Sequence, residues 1–290
     1  MSNEPFDDRD GYIWYNGKLS VWRDTNVHIL NHGLHYASCV FEGIRIYDGK
    51  PFKLNEHNER LHNSAKILNF DIPYSVDQLN EATKLIVKEQ GVENGYIRPI
   101  AWLGSEHMKI YAAGNSVHVA IATWEWAGYF PEELYEKGID LCWSDWKRPA
   151  PDTAPTNSKA AGLYMICTIS KKQAQQGGFH DAMMLDYRGY VAEATGANFF
   201  MVADGEIHTP IADCFLDGIT RRTVIEIAKN NGIKVNERHI KPEELSTAQE
   251  AFLTGTAAEI TPIGSIAEHK FVPGEVTALL RQEYSKLVRK

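Results

Sequence analysis

The sequence predicts a mixed α/β protein of two domains, and three observations carry that expectation. At 290 residues, 43% of them hydrophobic, the chain is long enough to build more than one compact core. Period-two runs of aromatic and β-branched residues alternate with helical segments that carry start and stop signals. The segment 127–137, AGYFPEELYEK, separates two stretches that each contain both kinds of element. Domains are therefore expected at 1–126 (smaller, N-terminal) and 138–290 (larger), with 127–137 as linker.

In chain order, YIWYNGKLSVW (12–22) places two alternating runs around Asn16-Gly17, a strong hairpin signal, and SCVFEGIRIYDGKPFKL (38–54) repeats the pattern around Asp48-Gly49. Helices are expected at 55–68 and 76–90. The second has Ser75 as N-cap, Gln78 completing a capping box and Gly91 as stop. YIRPIAWLG (96–104) and VHVAIATWEW (117–126) read as buried strands, and IDLCWSDW (139–146) as another. After the Pro-rich loop 147–159, a helix is expected over 160–176, opened by Lys159 and ended by Gly177-Gly178. Residues 181–210 read as short strands with a turn at Asp204-Gly205. Gly218 precedes a helix over 219–230, EAFLTGTAAEI (250–260) reads as one strand, and a helix over 274–289 closes the chain.

Composition narrows the function. A net charge of −8 with scattered Lys and Arg argues against a nucleic-acid partner, which requires a basic stripe. No apolar run approaches a membrane span, and the acidic start MSNEPFDDRD lacks the basic-then-apolar pattern of a signal peptide. Cys39, Cys142, Cys167 and Cys214 are too far apart for a zinc cluster and too few for a disulfide framework, so a cytoplasmic setting is expected. GIRIYDGK (43–50) fails as a phosphate loop because its glycine spacing is one residue too long and Pro51 replaces the required hydroxyl. His28, His32 and His35 have helical spacing, but Asn31 and Gly33 should interrupt that helix. Loop histidines making hydrogen bonds are expected there, and no metal.

Several residues have chemistry worth weighing against a plainer role. Lys159 is either a solvated loop lysine or a covalent catalyst among small neighbours. Gly218-Ile219-Thr220 offers an anion the free N–H groups of a helix start, and Gly255-Thr256-Ala257 offers a second cradle; a simple helix cap is the alternative for the first. Arg60 could fork onto phosphate oxygens or lie in solvent. Glu193 could hold a ring nitrogen protonated or sit at a wet strand edge. Arg98, flanked by strand residues, needs either a fixed internal carboxylate or a ligand.

The ordered blocks HGLHYASCVFEGIR, RLHNSAKIL, GYIRPIAWLG, SKAAGLY, GYVAEATGANFF, LDGITR and FLTGTAAEITPI span nearly the whole chain. In that order they resemble the fold type IV pyridoxal-phosphate transaminases, specifically the branched-chain amino acid aminotransferases. The resemblance implies the two-domain α/β fold of that group, with a pseudo-barrel as the larger domain. It implies transfer of the amino group of leucine, isoleucine or valine to 2-oxoglutarate, with pyridoxal phosphate as cofactor. By the same resemblance Lys159 binds the cofactor covalently and moves protons, and Arg60, Ile219, Thr220 and Thr256 hold its phosphate. Tyr164 meets the ring hydroxyl oxygen and Glu193 the ring nitrogen.

The substrate side chain would be walled by Tyr36, Phe41, Gly43, Tyr96 and Tyr129, its α-carboxylate held by Thr256 and Ala257, and a second carboxylate met by Arg98. Lys109 departs from the small residue expected in the pocket-closing loop, which bears on substrate breadth. At least a homodimer is implied, with loops near Tyr36 and 106–112 reaching the neighbour, and some relatives form hexamers. D-amino acid transaminases and aminodeoxychorismate lyase share the lysine and glutamate, so pocket residues must separate them. A cofactor-free Schiff-base aldolase would leave Glu193, Arg60 and the GIT helix start unexplained. A non-catalytic scaffold would need no reactive lysine.

Overall fold

A computed structural model describes residues 4–128 and 130–290. The chain divides into two compact units. One runs to Ala127 and includes Ser158–Gly162; the other comprises Gly128–Asn157 and Leu163–Lys290. Residues 158–162, expected with the second stretch, belong to the first unit because the backbone ties them there. Lys159 N donates to Ser64 Oγ at 3.0 Å, Phe41 N donates to Lys159 O at 3.2 Å, and Ala160 bridges Val40.

In the first unit the strands are β1 (Tyr12–Tyr15), β2 (Lys18–Val21), β3 (Cys39–Phe41), β4 (Ile44–Tyr47), β5 (Lys50–Pro51), β6 (Gly95–Leu103) and β7 (Val117–Glu125). They form a sheet ordered β2-β1-β7-β6-β4-β5, with β3 also on β6. Both hairpins turn where expected, with Asn16, Gly17, Asp48 and Gly49 all at positive φ. The helices are α1 (His32–Tyr36), α2 (Leu54–Ile67) and α3 (Val76–Gln90), the last with its Ser75–Gln78 capping box and Gly91 in the left-handed region. The short α1 carries His32 and His35, expected in a loop, while His28 precedes it, so the three do not share one helix. Asn31 is the cap of α1, accepting from Leu34 N at 3.3 Å, rather than its interruption.

Leu61, Leu79 and Ile86 from the helices pack with Ile44, Ile46, Ile97, Ala101 and Ile121 from the sheet. Each large side chain among them contributes roughly 1.5–3 kcal/mol of burial. Alternation along β6 sends Ile97 and Ala101 into this core and leaves Tyr96 and Arg98 on the opposite face. Pro99, unusual in a central strand, falls where the sheet is interrupted. β3 ends opposite Ile100 and β4 begins opposite Ile97, so the residues facing Pro99 are the break at Glu42-Gly43.

The second unit contains α4 (Glu133–Lys137), β8 (Ile139–Trp143), α5 (Met165–Gln176), β9 (Asp181–Leu185), β10 (Val191–Ala194), β11 (Asn198–Ala203) and β12 (Glu206–Thr209). It continues with α6 (Ile219–Asn230), β13 (Val235–Glu237), β14 (Glu250–Gly255), β15 (Glu259–Ile266), β16 (His269–Lys270) and α7 (Glu275–Val288). The main sheet runs β10-β9-β8-β15-β14-β11-β12-β13, and β10 pairs again with β11, so six strands close on themselves around Met183, Phe199, Met201, Leu253 and Ile263.

Four elements differ from expectation. The strand expected over 139–146 ends at Trp143. The segment read as linker carries α4. The helix expected from 160 starts at Met165 after a single 3₁₀ turn, Ala161–Tyr164, because Ala160 is held extended against Val40. The strand expected over 250–260 is two strands, reversing through 256–258 with Glu259 at φ 51°.

Candidate active site

Each unit assembles its own share of the residues singled out in the sequence. In the first, Lys159 is half-buried, and its Nζ lies 5.1 Å from the centre of the Phe41 ring. Arg98 stacks on the same ring at 4.7 Å and on Tyr96 at 5.4 Å, donating from Nη2 to Tyr96 Oη at 3.4 Å. Among the described residues Arg98 has no carboxylate partner, and its Nε is buried without an acceptor. The fixed internal ion pair weighed for it is therefore absent there. Gly43 owes its identity to crowding, since a Cβ there would overlap Tyr96 Oη.

Arg60 is not the solvated arginine of an exposed helix face. It clamps the buried carboxylate of Glu42, donating from Nε to Oε1 at 2.6 Å and from Nη2 to Oε2 at 2.9 Å. His57 Nδ1 meets Glu42 Oε2 at 2.7 Å. Burial pushes the Glu42 carboxyl up, but Arg60 and His57 outweigh that and hold it well below the usual carboxylate range. Tyr36 is 46% exposed, and its hydroxyl donates to Met108 O at 3.3 Å. Lys109 is exposed, with its carbonyl 3.0 Å from His32 Nε2, so the 106–112 loop is tethered to α1 by two side chains. Tyr129 lies outside the described residues.

In the second unit Glu193 is buried on β10 rather than wet at a strand edge. A register shift between Val191 and Glu193 marks a bulge in the β9–β10 pairing, a device that re-aims side chains beside functional sites. Arg148 Nε lies 3.3 Å from Glu193 Oε1, an ion pair without hydrogen-bond alignment, and Asn198 Nδ2 donates to Glu193 Oε2 at 3.1 Å. Burial pulls the Arg148 guanidinium down, but the neighbouring Glu193 carboxylate more than offsets this and leaves it above its ordinary value. The Arg148 guanidinium is thus charged at neutral pH. Neither Arg148 nor Asn198 was singled out in the sequence. Arg148 is hidden in a Pro-rich loop, and Asn198 reads as one more strand residue until its pairing with Glu193 is seen.

Asn198 also donates to Leu216 O at 3.0 Å, just before α6. At that helix start Gly218 provides no side-chain cap, and Ile219 and Thr220 are both buried. The first N–H groups of α6 have no intrahelical acceptor, which suits an anion. A Cβ on Gly218 would overlap Asn198 Oδ1, so the helix start and the Glu193 carboxylate are coupled through one amide. Thr256 and Ala257 occupy the β14–β15 turn, half-buried, and Tyr164 ends the 3₁₀ turn before α5.

Gly218→Ala is expected to turn Asn198 away from Glu193 and to lower cofactor affinity ~10-fold, the worth of one hydrogen bond to a charged group. Titration of cofactor into the apoprotein measures this, and undiminished affinity would mean that Asn198 can move without consequence.

The chain belongs to the class IV aminotransferase family, whose pattern it matches over residues 39–266. Within that family it is similar to branched-chain-amino-acid aminotransferases. That of Pseudomonas aeruginosa is 44% identical over 288 residues, covering 97% of this chain and 94% of the relative. That of Escherichia coli K12 is 42% identical over 261 residues, covering 88% and 84%. The crystal structure of the Escherichia coli branched-chain amino acid aminotransferase superposes with a TM-score of 0.93 at 40% identity, covering 97% and 95%. The branched-chain aminotransferase of the thermophilic archaeon Thermoproteus uzoniensis, solved with norvaline, gives 0.92 at 36%, covering 97% and 95%.

Proposed function

We propose that this enzyme exchanges the amino group between branched-chain L-amino acids and 2-oxoglutarate, using pyridoxal phosphate. The observation that carries the reading is the surface beside Lys159: an aromatic wall of Phe41 and Tyr96 with Arg98 stacked on it and, among the described residues, without a carboxylate partner. Such a surface takes an aliphatic side chain against the rings and an acidic one against the guanidinium. The cofactor fits the donors present, because the uncapped start of α6 suits a phosphate and the buried Glu193 suits a protonated ring nitrogen. A branched-chain amino acid aminotransferase solved with pyridoxamine 5'-phosphate supports the cofactor. Others, solved with N-(5'-phosphopyridoxyl)-L-glutamate and with 4-methylvaleric acid, support both kinds of side chain.

When bound, pyridoxal phosphate supplies an aldehyde for the amino group and a ring that draws electrons from the substrate Cα. Lys159 would hold the cofactor between turnovers, and its freed amine would carry a proton between the substrate Cα and C4′ of the cofactor. Glu193 keeps a proton on the ring nitrogen, with Arg148 and Asn198 holding its carboxylate in place. Arg60, Ile219, Thr220 and Thr256 bind the phosphate, and Tyr164 binds the ring hydroxyl oxygen. Tyr36, Phe41, Gly43 and Tyr96 wall the side chain, while the N–H groups of Thr256 and Ala257 orient the α-carboxylate.

The protein works as a homodimer or larger assembly in the cytoplasm. Supporting the first are Ile29, Leu34, Ile110 and Tyr111, apolar and strongly exposed on the segment before α1, on α1 itself and on its tethered loop. Supporting the second are four free cysteines. Among the described residues no helix is long and apolar enough to cross a membrane. The visible spectrum of purified protein tests the whole reading. L-leucine should bleach the bound cofactor and D-alanine should not; the reverse would assign a D-amino acid enzyme.

Arg98→Met should weaken the glutamate half-reaction ~10- to 1000-fold, the loss of one charge-assisted pair of about 1.5–3 kcal/mol, and change the leucine half-reaction much less. Single-turnover measurements with each amino acid separate the two. A parallel fall in both would make Arg98 structural.

A further inference from the structure

Glu42 is fully buried, lies in the break between β3 and β4, and has no part in the roles above. Its oxygens are engaged by Arg60 at 2.6 and 2.9 Å and by His57 at 2.7 Å, while Gly43 N approaches Oε2 at 3.3 Å. Burial pulls the His57 imidazole below its ordinary value even beside a carboxylate, so it stays neutral and its Nδ1 proton is fixed toward Glu42. The cluster is therefore a carboxylate held on one side by a neutral ring and on the other by the side-on fork of an arginine. A buried ion pair is a poor source of stability compared with apolar packing, so its presence calls for another purpose.

That purpose is found in Arg60. Arginine carries about 2 kcal/mol of rotamer freedom, and a free guanidinium on α2 would have to surrender it when it gripped a ligand. Held by Glu42 through Nε and Nη2, Arg60 keeps 12% of its side chain exposed while Glu42 keeps none. We propose that Glu42, itself oriented by His57, is a positioning residue that presets the Arg60 guanidinium for the phosphate of the cofactor. The inference rests on the reading that Arg60 binds that phosphate. Two effects oppose each other, since Glu42 also cancels part of the charge that a phosphate seeks. Preorganisation wins if removing the carboxylate weakens phosphate binding.

The experiment compares two ligands of the full-length chain stripped of cofactor: pyridoxal phosphate, and pyridoxal, which lacks only the phosphate. Lys159 can capture either, so the ratio of their dissociation constants isolates the phosphate. Glu42→Gln should weaken pyridoxal phosphate ~10- to 100-fold, the worth of one to two powers of ten expected for a displaced charge-assisted contact, and leave pyridoxal within about twofold. In an Arg60→Met background the same change should add nothing. Equal weakening of both ligands would make Glu42 merely structural, and tighter pyridoxal phosphate binding would mean that charge cancellation dominates; either overturns the proposal. If wild type shows no preference for the phosphorylated ligand, or Arg60→Met leaves that preference intact, the phosphate reading itself fails. Should Glu42→Gln not fold, His57→Gln, which loosens Glu42 without removing its charge, carries the same comparison.

Discussion

Lys159→Ala should leave a folded protein that no longer shows the absorbance of a covalently held cofactor and no longer transfers amino groups. The fold survives because Lys159 is anchored through its main chain. Its N–H donates to Ser64 Oγ at 3.0 Å and its carbonyl accepts from Phe41 N at 3.2 Å, and alanine keeps both. The next residue, Ala160, bridges Val40 independently. What is lost is the amine 5.1 Å from the Phe41 ring. Loss of proton transfer at Cα alone should cost ~10²- to 10⁴-fold, and loss of covalent capture adds to it. Visible spectra and single-turnover rates with L-leucine check both parts, while circular dichroism checks the fold. Retained turnover with leucine and 2-oxoglutarate would sink the assignment of Lys159.

The strong local signals in the sequence are the ones whose physics is local. Asn16-Gly17 and Asp48-Gly49 adopt positive φ because the two-residue hairpin demands it, and Ser75, Gln78 and Gly91 satisfy the ends of α3 with their own groups. The Gly218 helix start was legible for the same reason. The path of the chain around Lys159 was not, because it is set by Val40 and Ser64, partners distant in sequence. Distance likewise concealed Arg148 behind Glu193, and Glu42 and His57 behind Arg60. In isolation a Glu in VFEG or an Arg in KRPAP reads as a surface charge. Only the fold shows each of them buried against an opposite or hydrogen-bonding group. The turn over 256–258 was missed because Thr256-Ala257-Ala258 contains none of the usual turn residues, and periodicity cannot mark a reversal that one residue in the left-handed region produces.

Glu193→Gln should bind cofactor but transaminate slower by several powers of ten, each about 1.4 kcal/mol of barrier. The reason lies in what surrounds the carboxylate. Arg148 at 3.3 Å favours a charged partner, and Asn198 donates at 3.1 Å to the other oxygen. A carboxylate so placed can accept from a protonated ring nitrogen and stabilise it by charge. An amide in the same place offers a carbonyl oxygen but no charge, and it leaves Arg148 buried without its counter-ion. Electron withdrawal from Cα then weakens, because it depends on the ring nitrogen staying protonated.

Binding should suffer less, since the phosphate and Lys159 contribute most of the hold. Cofactor titration and single-turnover kinetics therefore move apart: near-normal affinity with a much slower half-reaction for leucine and for glutamate alike. That common slowing distinguishes Glu193 from Arg98, whose loss should fall mainly on glutamate. Asn198→Asp provides a second view, because it places a second negative charge against Oε2 of Glu193 and should raise the carboxyl's affinity for a proton, shifting the fall of activity at low pH to higher pH. If Glu193→Gln turned over leucine at the wild-type rate, the ring nitrogen would need no carboxylate, and Glu193 would serve only to keep Arg148 charged and buried.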